Sequence, residues 1–286
     1  MKKILITGAS GYIGKNLVEQ FSDKFILYTP SHLELDLLDT NAVSDYLQKH
    51  PVDILIHAAL LGGSRTEEHV TGMLDVNLRI FFNITRNKQY YKKMIFLGSG
   101  AEYDKQRPII KVKEEDFDKN VPIDEYGFYK YVCAKHIEEA DNIVSLRIFG
   151  LYGKYEDYRY RFISNAICRS LLGLPITLIK DVYFDYVYID DFVKIVEYFV
   201  NNEVKYKFYN IGTGHKINIL TIANKINKIA DTKKEIILRN KGLNNEYTCD
   251  NSRLRSEIKA LAFTDLDIAL KDLFYWYKSN SDTIHL

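Results

Sequence analysis

Glycines at positions 8, 11 and 14, in Thr7-Gly8-Ala9-Ser10-Gly11-Tyr12-Ile13-Gly14, follow the apolar run Ile4-Leu5-Ile6 and open a segment in which Ile13, Leu17 and Phe21 recur every four residues. Strand, glycine-rich turn and amphipathic helix therefore follow one another without a break. At such a turn the missing Cβ atoms let the backbone tighten, and they let N–H groups and the helix N-terminus come close to an anion. The run thus reads as a cradle for a dinucleotide pyrophosphate. Any tight strand-to-helix turn also favours glycine. Its place on the first strand of the chain favours the dinucleotide reading.

The same alternation continues downstream. Apolar runs at 25–28, 53–58, 94–97, 144–149 and 208–211 read as strands, and periodic stretches around Val43-Tyr46-Leu47, Val76-Ile80-Ile84 and residues 126–140 read as helices. This is the sequence form of βαβ units, and it predicts an α/β fold: a Rossmann-type, doubly wound parallel sheet. Beyond Gly150 the pattern is less regular, with a helix at 162–172, short strands near Ile176 and Tyr183, and a helix behind Asp190-Asp191, read as a capping signal. The chain closes on a helix with the stripe Leu266, Leu270, Leu273 and Tyr277. We assign residues 1–152 and 186–214 to the dinucleotide lobe and 153–185 with 215–286 to a smaller, interleaved substrate-binding lobe. No linker composition separates the two, so one shared cleft is expected.

Composition sets the outer limits. With 286 residues, 47% hydrophobic and 27% charged, the chain has material for a core that encloses a cofactor. A formal charge of +1 leaves no net field to draw it onto nucleic acid or a membrane. The N-terminus lacks a secretory pattern and no stretch approaches a membrane span, so a cytoplasmic protein is expected. Cys133, Cys168 and Cys249 are odd in number and far apart, which suits free thiols. With no CxxC or HExxH, no metal site is expected. His57, behind a buried strand, reads as a packed residue.

Tyr126 and Lys130 stand four apart in a helical stretch, which puts phenol and ammonium on one face. A nearby cation lowers a phenol's pKa from about 10 and makes it a usable acid or base. In a chain with 22 tyrosines the pair also fits a solvated helix face. Ser99 lies just past the fourth strand, at the sheet edge where open α/β folds bind ligands, and this context selects the chemical reading.

Together these pieces resemble the extended short-chain dehydrogenase/reductase family, whose members act on nucleotide sugars. The resemblance spans almost the whole chain: Thr7–Gly14, Asp36-Leu37, Ile56-His57-Ala58-Ala59, Asn77, Ser99, Tyr126-xxx-Lys130, and Tyr186-Val-Tyr-Ile-Asp-Asp191. It implies that Ser99 hydrogen-bonds the substrate oxygen, Tyr126 exchanges a proton with it, and Lys130 holds the nicotinamide ribose. It further implies cofactor contacts at Thr7, Gly8, Ser10, Gly11, Tyr12, Ile13, Gly14, Ser31, His32, Asp36, Leu37, Ala58, Ala59, Leu60, Asn77, Leu97 and Phe149. Substrate contacts are expected at Gly100, Ala101, Glu102, Arg159, Arg161, Asn165 and Lys180.

Departures from the family pattern narrow the activity. Dehydratases of the family carry an Asp-Glu pair directly after the catalytic Ser/Thr, where this chain has Gly100-Ala101, with Glu102 one place late. Phe96-Leu-Gly-Ser99, Ala58-Ala-Leu-Leu-Gly-Gly63 and Leu35-Asp-Leu-Leu-Asp39 look most like GDP-fucose synthases and related GDP-sugar reductases. Those synthases epimerise with a cysteine two places past the serine and a later histidine. Here Ala101 holds the first place, and the second falls near Arg161. The expected reaction is reduction of the C4 ketone of a 4-keto-6-deoxy nucleotide sugar, GDP-linked hexose or heptose favoured, without epimerisation. A nucleotide-sugar 4-epimerase is the same-fold alternative. A dinucleotide-sensing regulator is the non-catalytic one, against which the intact Ser, Tyr and Lys argue.

Four readings complete the picture. The basic and aromatic tract 154–161 mimics a single-strand platform, but the neutral chain favours a nucleotide-sugar site over nucleic acid. Gly150 and Phe184 stand where many relatives have an Asn and an Arg at the sugar nucleotide. Tyr28-Thr-Pro-Ser-His32 ends the second strand without the acid that selects NAD, so NADP(H) is favoured over NAD(H), with Ser31, His32 and Lys15 as donors to a 2′-phosphate. A homodimer is expected through the helices at 76–84 and 126–140, where Phe81, Phe82, Phe128 and Val132 put apolar residues on more than one face.

Overall fold

The computed structural model describes residues 1–62, 72–231 and 234–286. Gly63 of the Ala58–Gly63 motif lies outside them. Six parallel strands form the central sheet: β1 (Lys3–Thr7), β2 (Ile26–Tyr28), β3 (Val52–His57), β4 (Tyr91–Ser99), β6 (Ile143–Ile148) and β10 (Phe208–Ile211). They are the six strands that the sequence pattern predicts. Their order is β10-β6-β4-β3-β1-β2, so the chain starts inside the sheet, winds outward to β2 and returns across to build the other half. Register puts Thr7 beside His57, His57 beside Phe96, and Ser99 beside Ile148, which brings the sequence-marked residues to one carboxyl edge.

Helices cover both faces. On one side α1 (Tyr12–Phe21) and α6 (Ile189–Asn201) pack on the sheet. The four-residue spacing of α1 buries Leu17 and Phe21 completely, and α6 buries Phe192, Val193, Val196 and Phe199. On the other side lie α2 (Thr40–Lys49), α3 (Met73–Thr85) and α4 (Glu125–Glu139), with Phe81, Tyr129 and Ile137 in the core against Phe96. Phe81, expected on an exposed face, is wholly buried. Phe82 is 41% exposed.

A second layer stands over the carboxyl edge. Strands β5 (Ile109–Val112), β9 (Tyr183–Tyr188), β11 (Lys216–Asn218) and β13 (Tyr247–Cys249) form a sheet in the order β11-β9-β13-β5, and β7 (Gly150–Tyr152) pairs with β9. Strands β8 (Ile176–Leu178) and β12 (Ile236–Leu238) make a separate parallel pair. Helices α5 (Phe162–Leu171), α7 (Ile219–Ile229) and α9 (Leu266–Ser279) share their own core around Ile167, Ile222 and Leu270, while the short α8 (Ser252–Glu257) packs beside β10. Asp190 and Asp191 do not cap α6, whose N-cap is Tyr188. Asp190 accepts from Gln20 and Asp191 from the Thr264 amide and hydroxyl, so both tie α6 to neighbouring segments.

Candidate active site

Strand β4 ends at Ser99, and the chain turns at once into a 3-10 turn, Gly100–Tyr103. The turn is closed from both sides: Ser99 Oγ accepts from the Ala101 amide at 3.1 Å, and Glu102 Oε1 accepts from the Ser99 amide at 2.9 Å. Glu102 is therefore not at the surface of the cleft, where the sequence reading put it. It is completely buried, and Oε2 meets Arg147 Nε at 2.5 Å. Burial of a carboxylate requires such a partner, and both oxygens are spent, one on the Ser99 amide and the other on Arg147. Ala101 is buried with it.

Helix α4 brings the other two residues. Asp124 caps it by accepting from the Gly127 amide at 3.0 Å, and the first two turns then set Tyr126 and Lys130 against the end of β4. Tyr126 lies close enough to Ser99 for the serine hydroxyl to act on its phenol, and Lys130 Nζ donates to the Leu97 carbonyl at 2.6 Å, 5.8 Å from the centre of the Tyr126 ring. Ser99, Tyr126 and Lys130 are thus brought together. Burial pulls the ammonium down to about 8, and the Phe96 and Tyr129 rings, 4.5 and 4.9 Å away, line its surroundings. Burial likewise raises the Tyr126 phenol, against the nearby Ser99 hydroxyl and the charge of Arg161. The expected lowering of the phenol below its ordinary value is not found, because desolvation outweighs the charges around it.

The glycine-rich turn fits a dinucleotide. Gly8 has φ +70°, a Cβ there would come within 2.6 Å of the Ala59 amide nitrogen, and one on Gly14 would run into the Gly8 carbonyl. Helix α1 starts on Gly11 with no side-chain cap and no acid in its first turn, which leaves its amides for an anion. Thr7 Oγ1 binds His57 Nδ1 at 2.8 Å and accepts from the Ala59 amide at 3.3 Å, so it sets the Ala58-Ala59-Leu60 loop. His57 is buried and held neutral, its pKa pushed down to about 3. Asn77, also buried, holds the Leu61 amide and carbonyl and the Met73 carbonyl. It shapes the wall of the cradle from behind. Ser10 and Gly11 are exposed, and Tyr12 and Ile13 are half-buried.

Beyond β2, the Ser31 amide and hydroxyl both donate to Glu34 at 2.8 Å. Ser31 and His32, both read as donors to a 2′-phosphate, are exposed at this end of the sheet. Asp36 is exposed and accepts from the Leu38 amide at 2.9 Å, with Leu37 half-buried behind it.

Of the basic residues, Arg161 begins α5 as its N-cap, and its charge acts on Tyr126, Tyr12 and Glu156. Arg159 is exposed and turns toward Asp157, at 3.7 Å. Asn165 donates to the Arg159 carbonyl at 3.2 Å, and Lys180 is half-buried beside Gly242. Phe184 faces Tyr186 and Tyr247, with ring centroids 5.2 and 5.8 Å apart.

One residue at the site has no counterpart in the sequence reading. Tyr247, on β13, packs its ring at a tilt against Phe149, with centroids 4.9 Å apart, and its hydroxyl lies 2.6 Å from where a Cβ on Gly100 would be. A lone tyrosine in a three-residue strand gives no periodic signal, and tyrosine is abundant throughout. Arg147, read only as part of a strand, carries no motif of its own.

Comparison with known proteins bears on the family and the fold. A family model described as the NAD dependent epimerase/dehydratase family matches residues 4–212. GDP-L-colitose synthase of Yersinia pseudotuberculosis is 25% identical over 260 residues, 81% of this chain and 83% of that protein. UDP-glucose 4-epimerase of Thermotoga maritima, solved with UDP-glucose, superposes with a TM-score of 0.84 at 20% identity and covers 97% of this chain and 99% of its own. A GDP-mannoheptose C4 reductase of Campylobacter jejuni, solved with NADP, gives 0.82 at 21% identity, covering 97% and 98%. With more than half its length matched and the glycine cradle, Ser99, Tyr126 and Lys130 in one cleft, this chain belongs to the NAD-dependent epimerase/dehydratase family.

Proposed function

We propose that the protein reduces the C4 ketone of a 4-keto-6-deoxy nucleotide sugar, GDP-linked hexose or heptose favoured, without epimerisation at C3 or C5, in the cytoplasmic synthesis of surface polysaccharide sugars. One observation carries the reading. Ser99 and Tyr126 meet at the sheet edge, while the nearby groups that would serve other chemistry are withdrawn: Glu102 and Cys168 are completely buried, and Tyr103 is 6% exposed and bonded to Asn210. Epimerisation at C3 or C5, like dehydration, needs a further acid or base at the sugar ring. Ala101 supplies none.

In this mechanism a bound reduced nicotinamide supplies the hydride. Ser99 and Tyr126 hold the substrate carbonyl oxygen between two hydroxyls and favour the negative charge that grows there. Tyr126 then gives its proton to that oxygen. The Lys130 ammonium stabilises the phenolate left behind, and holds the ribose as the family resemblance implies. Arg161, facing Tyr126 and Tyr12 from the smaller lobe, serves the nucleotide's diphosphate.

NADPH is the reductant in this reading. Glu34, the first acid after β2, takes the Ser31 hydroxyl instead of reaching toward ribose hydroxyls, and His32 is exposed there as a donor. The working unit is a homodimer formed across α3 and α4, where Phe82 stands exposed, edge-on to His136 with centroids 5.3 Å apart.

The test is a panel of nucleotide sugars that includes GDP-4-keto-6-deoxymannose and UDP-glucose, run in deuterated water with and without NADPH. Stoichiometric NADPH oxidation with no deuterium at C3 or C5 is expected. Enzyme-dependent exchange at those carbons, or interconversion of UDP-glucose without net oxidation, would replace this reading with an epimerase.

A further inference from the structure

Two ammonium groups approach the Tyr126 ring. Lys130 Nζ, from the same helix, lies 5.8 Å from its centroid, and Lys105 Nζ lies nearer, at 5.3 Å. Lys105 belongs to none of the motifs that mark the site in the sequence. It comes from the segment between the 3-10 turn Gly100–Tyr103 and β5.

Two local features put it there. Asp104, buried and with φ +68°, turns the chain out of the 3-10 turn through the left-handed region that aspartate tolerates. Gly127 lets α4 press on the same turn, since a Cβ there would stand 2.9 Å from the Ala101 carbonyl oxygen. Asp124 then fixes the ammonium. Its Oδ1, which accepts from the Gly127 amide at 3.0 Å, also meets Lys105 Nζ at 3.1 Å, while its Oδ2 is buried with no hydrogen-bond partner. Among the described residues, Lys105 is the cation that balances the carboxylate capping α4.

That balance matters two residues further on. When Tyr126 gives its proton to the substrate oxygen, the phenol O–H bond breaks and a negative charge stays behind on the oxygen and ring. A nearby carboxylate opposes that charge, and an ammonium facing the ring favours it. Asp124 is needed as the cap, so its effect on the phenol has to be offset from elsewhere.

We propose that Lys105 is a positioning residue for proton transfer: it offsets Asp124 and holds a second positive charge against the Tyr126 ring, so that the phenolate forms more readily. The inference rests on the reading above in which Tyr126 delivers the proton. Glu102 and Arg161, the other charges that bear on the phenol, stay in place in every variant of the test.

The experiment compares Lys105→Arg, Lys105→Met, Lys105→Glu and the double variant Lys105→Met/Asp124→Asn, with Tyr126→Phe alongside, using NADPH and the nucleotide sugar that the panel identifies. Lys105→Met should lower kcat roughly 3- to 10-fold, the scale of one partly solvated charge beside a ring. Lys105→Glu should lower it further, and Lys105→Arg should stay near the wild type, with KM and NADPH affinity changed far less throughout. Asparagine still caps a helix, so the double variant should keep α4 and recover part of the kcat that Lys105→Met loses, because both charges leave together. A kcat that does not follow the charge at position 105, a loss confined to KM, or a double variant no faster than Lys105→Met overturns the proposal, while an inactive Tyr126→Phe leaves the reduction reading standing. An active Tyr126→Phe, or a panel without turnover, overturns both.

Discussion

Glu102 Oε2 meets Arg147 Nε at 2.5 Å, and solvent reaches neither side chain. The guanidinium lies between the rings of Phe117 and Phe208, 4.4 and 4.3 Å from their centroids, so no water can replace the carboxylate. Through Glu102 Oε1 the pair holds the Ser99 amide, and so couples catalytic geometry to core stability. Removing one partner leaves the other charged and buried, which costs about 3–5 kcal/mol. Glu102→Met and Arg147→Met should each destabilise the fold by about that much in urea unfolding, and the double variant should cost less than the sum of the two. Strict additivity would mean that the pair is not coupled.

Tyr126→Phe keeps the ring and deletes the proton, so it should retain NADPH binding and lose most turnover, on the order of 100-fold or more. Lys130→Met should impair both. Since burial holds the Lys130 ammonium down at about 8, its charge is lost as the pH rises through that value, and wild-type turnover should decline there. Comparable turnover in Tyr126→Phe, measured by NADPH oxidation, would remove Tyr126 from its role.

The framework of this site could be read from sequence because its signals are local. Gly8, Gly11 and Gly14 lie within one glycine-rich segment, Tyr126 and Lys130 within one helical repeat, and each of the six central strands is built on a short, mainly apolar run. What escaped is non-local. Tyr247 comes up beside Gly100 only because β13 slots between β5 and β9, pairing it with Ile109, 138 positions back, and with Phe184, 63 positions back, and three-residue strands are too short to show a period. Glu102 illustrates the opposite error. Its place next to Ser99 suggested a residue of the pocket, but the 3-10 turn rolls its side chain underneath, toward an Arg147 that no spacing rule pairs with it.

Phe82→Glu tests the proposed dimer. The exposed ring sits on α3 beside His136 of α4, at the rim of a hollow of about 510 Å³ that Arg86 and Lys88 also line. A carboxylate in the centre of an apolar contact is costly to desolvate. Light scattering should therefore give a dimer for the wild type and a monomer for the variant at the same micromolar concentration. A monomeric wild type would end the proposal.

Glu156 sets a pH dependence of stability. It is 6% exposed, and Ser164 Oγ donates to its Oε2 at 2.6 Å. Burial outweighs that bond and the charge of Arg161, and pushes the carboxyl from 4.5 up to about 8. Between those values the folded chain keeps a proton that the unfolded chain has released. The group's contribution is therefore fully present below about pH 4.5 and is lost as the pH rises toward 8. At one pKa unit per 1.36 kcal/mol the whole span is worth roughly 3–5 kcal/mol. Glu156→Gln has no proton to lose, so the stability of the wild type relative to this variant should fall steadily from pH 5 to pH 8.5 in parallel urea titrations. A constant difference across that range would show that Glu156 is ionised in the folded protein at pH 5, with Arg161 rather than a proton as its partner.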